Sequence, residues 1–266
     1  MSNSSTEIDQ LNDAISDAAP RMPVSTSGEV KLLRGLYDST TKKWHDVAVV
    51  RELTGTDEEH LAEFGTKEDV SFLDYMNEIL ALAVVSIGDF PIDPGSPLIE
   101  KLIIADRDLL FLGATKRSYG DEKEFRMTCG HCGQKNDVVV SLEEDFVMHF
   151  DKEFDPKTPL KVETSKGTVE LRLPSSGITS KATKEGDSDS EINTYILAGC
   201  VVVSDDTTFE QSLEWARALG LKDRRKLLRA LLDVRLGPEM EEVETHCSDC
   251  GKKIVVMLDW VSLLLN

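Results

Sequence analysis

The apolar positions of this chain change rhythm several times, and each change marks an element. Residues 29–53, "EVKLLRGLYDSTTKKWHDVAVVREL", carry two β-prone runs around the polar "DSTTKK", which reads as a hairpin. In Thr56-Asp57-Glu58-Glu59 the Thr56 hydroxyl is placed to accept from the Glu59 amide while the Glu59 carboxylate reaches back, so a short helix is expected to begin there. From Val70 to Ile87 the apolar residues Val70, Leu73, Met76, Leu80, Ala83, Val84 and Ile87 recur at spacings of three and four. That spacing predicts one continuous helix with a core-facing stripe. After the breaker "DFPIDPGSP" a second helix is expected from Leu98 to about Lys116, with Leu98, Leu102, Leu109 and Leu112 inward and Gly120 near its end. Within it "ADRD" (105–108) reads as a solvated helical turn with local ion pairs, the alternative being a buried interface cluster.

The character changes between Asp151 and Pro238. "LKVETSKGTVELRLP" is a hairpin signal with Gly167 at its turn, and "SSGITSKATKEGDSDSE" (175–191) has the polar composition of a mobile loop. Two helices are expected next. One starts at a capping box from Thr207 to Glu210 and carries Phe209, Leu213 and Ala216 on one side. The other, "KDRRKLLRALLDVR", places Leu227, Leu228, Leu231 and Leu232 on its inner face and is stopped by Gly237-Pro238.

Composition adds limits to this outline. With 266 residues and 40% hydrophobic content the chain can bury a sizeable core, whereas residues 1 to about 27 carry few large apolar groups and read as a mobile arm unless a partner orders them. The formal charge of −19 opposes a phosphate backbone, because nucleic-acid affinity rests on cations that release counterions. The opening "MSNSSTEIDQLND" has neither a basic start nor an apolar run, so a cytosolic setting is expected. The longest apolar runs, 79–87 and 195–203, are about half of the ~20 residues a bilayer-spanning helix requires, and no membrane span is expected.

Four of the five cysteines come as two close pairs. "EFRMTCGHCGQKNDVVVSLEED" and "EVETHCSDCGKKIVVMLDW" share one plan: a polar strand, Cys-x-x-Cys-Gly, a short polar step, then a β-branched strand. Two such hairpin turns, each offering two thiolates, make the four-cysteine tetrahedron of a zinc ribbon, with Gly133 and Gly251 relaxing each turn. Cys129, Cys132, Cys247 and Cys250 are therefore the expected ligands of one structural Zn2+ per chain. A disulfide-exchange catalyst would need its pair at a helix N-terminus, and "NDVVVSL" prefers a strand. That reading also leaves the second pair without a purpose. Four protein ligands close the shell, so the ion is expected to serve shape and not catalysis.

One spacing is unusual: 114 residues separate Cys132 from Cys247, against roughly 15 to 20 between the pairs of an ordinary ribbon. The expected fold is thus α+β, with an N-terminal β-hairpin and helices, two distant CxxC knuckle hairpins, and a hairpin-plus-helical subdomain inserted between them. The boundaries that follow are an arm at 1–28, an α+β domain at 29–122, a first knuckle at 123–150, an insertion at 151–237 and a second knuckle with the C-terminus at 238–266. Zinc is expected to staple the two ends of the insertion. Cys200 reads as a small buried hydrophobe, and His131 and His246 as exposed or outer neighbours of the thiolates.

No phosphate-cradling glycine loop, nucleophile elbow or HExxH helix is present, so no enzyme is expected. The one basic concentration, with Lys222, Arg224, Arg225, Lys226, Arg229 and Arg235 against Asp223 and Asp233, has no interleaved aromatic residues for base stacking. Its ordinary reading is a helix whose leucines pack inward while its arginines pair with the acidic remainder or with another protein. A zinc-ribbon accessory of nucleic acid and a CxxC dithiol oxidoreductase are the alternative functions.

Several stretches together resemble a known family. "RELTGTDEEHLAEF" (51–64) after a basic-aromatic hairpin is similar to a motif of phage tail-assembly and baseplate proteins. "IADRDLLFLGATKRSYG" (104–120), "FRMTCGHCGQKNDVVVSLEE" and the later "GTVELRLPSSG" resemble the baseplate hub proteins of contractile-tailed, T-even-like phages. The resemblance spans about residues 29–266 and implies a non-enzymatic part of the tail baseplate, resident at the hub or acting on hub assembly, that contacts other tail proteins. It implies a location in the virion tail, or in the host cytoplasm during assembly, and carries no catalytic residue across.

Overall fold

A computed structural model describes residues 28–150, 154–204, 206–240, 243–256 and 260–265, so the expected arm lies, but for Gly28, outside the described residues. The chain is mixed α+β: small antiparallel sheets and, among the described residues, eight α-helices. None of these helices is long and apolar enough to cross a membrane.

The expected hairpin forms from β1 (Glu29–Asp38) and β2 (Lys43–Val50). β3 (Val84–Ile87) adds to β2 and β4 (Phe90–Pro91) to β3, giving the order β1-β2-β3-β4. Midway along β1 the register jumps from Lys31↔Val47 to Leu36↔His45. The bulge turns on Gly35, at φ 72°, where a Cβ would meet the His45 carbonyl oxygen at 2.0 Å.

Helix α1 (Gly55–Phe64) is capped by Thr54, not Thr56. The string "TGTDEE" holds two nested capping boxes, and the first wins because Asp57 also takes the Arg51 guanidinium at 2.7 and 2.8 Å. Helix α2 (Phe72–Ala83) starts at a Ser71/Asp74 box and stops short of the expected Ile87. Val84 to Ile87 pair with β2 as a strand; both ends of that strand are buried, which continues the three-residue spacing by coincidence.

The second expected helix is also split. Ile99–Lys101 make one 3-10 turn, the chain extends at Leu102, and α3 runs Ile104–Tyr119 to Gly120, whose φ of 86° ends it. "ADRD" is not a solvated turn: Asp106 is 0% and Arg107 2% exposed. The Asp106 carboxylate accepts the backbone N–H groups of Leu33 (2.6 Å), Gly35 (2.8 Å) and Arg34 (3.2 Å), the donors that the β1 bulge frees from β2. Helix α3 is thereby pinned to the sheet through a buried polar contact inside the first core, which contains Ile79, Leu80, Ile87, Leu110 and Phe111.

Next come β5 (Glu122–Thr128) and β6 (Lys135–Ser141), which pair, and β7 (Phe146–His149). β8 (Leu160–Thr164) and β9 (Gly167–Leu171) form the hairpin expected around Gly167. Residues 175–191, expected as a loop, instead build α4 (Ser176–Glu185) and open α5 (Asp189–Cys200). The buried face of α4 is Ser176, Ser180 and Ala182, small residues that suit close approach: Gly177 faces Glu100, where a Cβ would lie 3.1 Å from Glu100 Cβ. A polar composition therefore conceals a packed helix.

Helix α6 (Phe209–Arg217) is capped by Thr208 with Gln211, one residue later than expected. Helix α7 (Leu221–Leu232) buries Leu227 and Leu231, but Leu232 is 79% exposed and off the inner face. A second core gathers Val162, Leu171, Leu197, Cys200, Ala216 and Leu227.

The excursion returns through β10 (Gly237–Met240), which pairs with β7 from Gly237↔His149 to Met240↔Phe146. β11 (Val243–His246) and β12 (Lys253–Val256) form the last hairpin, and α8 (Trp260–Leu265) closes on α3. The ends of the long excursion are thus zipped by a β-ladder, a link beside the zinc staple that the cysteine spacing led us to expect.

Candidate metal centre

The β5–β6 and β11–β12 hairpins are local copies of one another. Pairing ends at Thr128↔Lys135 in one and His246↔Lys253 in the other, leaving six-residue loops, "CGHCGQ" and "CSDCGK". In the first loop the Cys129 amide donates to Gln134 O (2.8 Å) and the Gly133 amide to Cys129 O (2.9 Å). In the second the Cys247 amide donates to Lys252 O (2.8 Å) and the Gly251 amide to Cys247 O (2.9 Å). Both turns need a positive φ after the second cysteine, 77° at Gly133 and 67° at Gly251, which is the reason for glycine at those positions.

The two loops face each other, and the four sulfurs lie within 4.8 Å of one another. Across the loops Cys129 Sγ is 3.7 Å from Cys250 Sγ and Cys132 Sγ 3.6 Å from Cys247 Sγ, far beyond the ~2.05 Å of a disulfide. Cys129 and Cys247 are buried, with Ile254 and Met127 against them, while Cys132 and Cys250 are exposed.

The amides of His131 and Cys132 hold the Cys129 thiol below its ordinary pKa, and those of Cys250 and Asp249 bring Cys247 down to about 6. At Cys132 the Gln134 amide favours the thiolate, but desolvation and the sulfurs of Cys250, Cys247 and Cys129 push the thiol up to about 12. The amides favour thiolates and the crowding of the sulfurs opposes them, an opposition that a cation between the sulfurs would relieve.

Asn136 was not singled out by its sequence. It is the inward residue that opens the alternation of β6, and it joins the two knuckles: its Oδ1 accepts from Ser248 N (2.8 Å) and Ser248 Oγ (3.0 Å), and its Nδ2 lies 3.7 Å from Cys247 Sγ. The only signal was an amide in phase with Val138 and Val140. His131 and His246 are exposed and lie outside the sulfur cluster.

Cys200 is 1% exposed, and burial pushes its thiol up to about 12, as suits an inert core residue. Much of the basic helix is engaged internally: Arg224 donates to Ser190 O, Lys226 to Glu163 O, and Arg229 faces Asp233 at 3.5 Å.

Comparison with curated proteins and with solved structures gives no match. A family model described as T4 bacteriophage base plate protein matches residues 37–265, a span that begins at the last two residues of β1 and takes in the whole excursion and both cysteine knuckles. The chain belongs to the T4 bacteriophage base plate protein family.

Proposed function

We propose that this protein is a non-enzymatic structural and assembly component of the tail baseplate, placed at the hub, and that Zn2+ held by Cys129, Cys132, Cys247 and Cys250 clasps its two knuckles. Membership of the baseplate family supports the structural role and contact with other tail proteins. The resemblance of residues 104–120 and of the first knuckle to hub proteins supports the finer placement.

The observation that carries the metal is the sulfur geometry. A tetrahedron with Zn–S bonds of ~2.3 Å has S···S edges of about 3.8 Å. The cross-loop separations of 3.6 and 3.7 Å match it. Four thiolates leave no open position for an activated water, so the ion would fix shape.

Two measurements test the reading. Elemental analysis of the purified chain is expected to give one zinc per chain, and quantitative mass spectrometry of tails purified from infected cells is expected to find the chain at a fixed ratio to other baseplate proteins. A metal-free protein with an unchanged melting temperature would sink the clasp. A chain present only free in the lysate, never in tails or their assembly intermediates, would sink the baseplate role.

A further inference from the structure

Among the described residues outside the thiolate cluster, Arg107 has the most buried side-chain nitrogens without a partner. It is 2% exposed, its Nε and Nη2 have no hydrogen-bond partner, and among the described residues no carboxylate comes within ion-pair distance of it. Burial holds its pKa down, and the charge that acts against this is Asp108, the next residue on α3. Successive helix residues point about 100° apart, so Asp108 cannot close on its neighbour. A buried cation left in this state carries a desolvation cost that only an added acceptor relieves.

Arg107 lines a cavity of about 430 Å3. Phe72, Met76, Phe146, Met240 and Trp260 form its apolar walls, and Phe72 is 58% exposed. Two carboxyl groups share the lining. Glu239 is turned to His149 at 2.8 Å, and burial pushes the Asp108 carboxyl up to about 7, so neither gives Arg107 a full counter-charge.

We propose that this cavity receives the C-terminus of another tail protein, with the last apolar side chain against Phe146 and Trp260 and the α-carboxylate on Arg107. A planar guanidinium is matched by a planar carboxylate, which it grips with two parallel hydrogen bonds. A chain end suits the site better than an internal Asp or Glu. It brings one strand of backbone between apolar walls where an internal residue brings two, and every extra peptide group carried inside would lack a partner. The proposal rests on the reading of this chain as an assembly part for the origin of the partner; the chemistry of the cavity does not depend on it.

The test uses the full chain and follows the Trp260 indole N–H resonance during titration with the acetylated tetrapeptides Ac-Gly-Ser-Ala-Leu and Ac-Gly-Ser-Ala-Phe. The free acids are expected to give a saturable shift and their C-terminal amides at least tenfold weaker binding. Arg107→Met is expected to melt no lower than the natural chain, since an apolar side chain there removes an unpaired charge, and to abolish the acid-to-amide difference. The proposal is overturned if acid and amide bind alike, if an amidated peptide with an internal Glu binds as well as the free acids, or if nothing shifts the resonance. It is also overturned if octanoate saturates the site while the peptides do not, or if Arg107→Met melts well below the natural chain, which would reveal an internal partner for the guanidinium. Peptide binding by a chain absent from tails would leave the cavity's role standing and sink the baseplate reading; a chain present in tails that binds no peptide would sink only the cavity's role.

Discussion

Removing the proposed Zn2+ should open the knuckles without releasing the excursion, and the β7–β10 ladder decides this. Without that ladder a cross-link from Cys132 to Cys247 would close more than a hundred residues, worth about 5 kcal/mol of chain entropy. With β7 zipped to β10 the path runs from Cys132 to Phe146, across to Met240 and on to Cys247, about 23 residues, and its closure costs at most about 3.4 kcal/mol. The bases of the two hairpins share one apolar cluster, Phe125, Val138 and Val140 of the first with Val256 of the second and Val243 against them, so the metal acts on the tips. There, two hydrogen bonds from Ser248 to Asn136, about 1 kcal/mol each, and the contacts of Cys129, Cys247 and Ile254 are the remaining links. Chelated protein should therefore exchange between docked and separated knuckle tips.

Amide exchange at single residues reads this directly. The Ser248 N–H, which donates across the gap at 2.8 Å, should lose most of its protection on chelation, while the β7–β10 amides keep theirs. Protection at Ser248 equal to that of the metal-loaded chain would refute the reasoning, because the knuckles would then hold each other unaided. Loss of protection in β7 and β10 at the same chelator concentration would refute it from the other side, by making the metal the true closure of the excursion.

Asp106→Ala leaves the buried amides of Arg34 and Gly35 without an acceptor, and by calorimetry should cost about 3 kcal/mol, with exchange rising first at Leu33 to Gly35. The Arg51 guanidinium, and after it the Thr54 amide, hold the Asp57 carboxyl well below the usual carboxylate range. This stabilisation is full above the unfolded value of ~4 and is lost progressively as pH falls from there through the depressed folded value, so acid titrations of the natural chain and Asp57→Asn should differ most above about pH 5 and draw together steadily as the pH falls below ~4. Asn136→Ala should speed zinc release to a colorimetric chelator about tenfold or more, because the second-layer amide that orients Cys247 and Ser248 is gone. Leu227→Ala, at a 0% exposed site, should cost about 3 kcal/mol in urea unfolding, and Leu232→Ala, at 79% exposure, under about 0.5 kcal/mol.

What could be read in advance follows physical lines. The sulfur cluster was legible because its signal is redundant: two copies of one plan in a single chain, each with a glycine where the turn requires a positive φ. The cap positions slipped by one or two residues because "TGTDEE" and "TTFEQ" each satisfy the capping rule twice, and only a tertiary contact such as Arg51–Asp57 breaks the tie. The interruption of the Val70–Ile87 stripe was invisible because strand and helix spacings agree over so few residues. Asp106 and the small-residue face of α4 were misread for a shared reason. Buried polar groups look like surface until their partners are known, and the partners of Asp106 are backbone amides, which have no letter in a sequence.

These misread residues also explain how the parts are joined. The first and second apolar cores share no residue, and the contacts across them are directional and polar. Lys157 meets Asp46 at 2.6 Å, Lys184 meets Asp74 at 2.7 Å, the Ser180 hydroxyl donates to Asp74 at 3.2 Å, and the Arg34 guanidinium donates to Leu173 O at 3.4 Å. Apolar contact is non-directional and tolerates sliding, whereas a hydrogen bond weakens steeply with angle. A seam made of such bonds, closed at one end by the β7–β10 ladder, favours one relative placement of the two cores over many others of similar buried area. For a baseplate protein that selectivity matters more than the stability the seam adds, and the clasp proposed at the four sulfurs belongs to the same design.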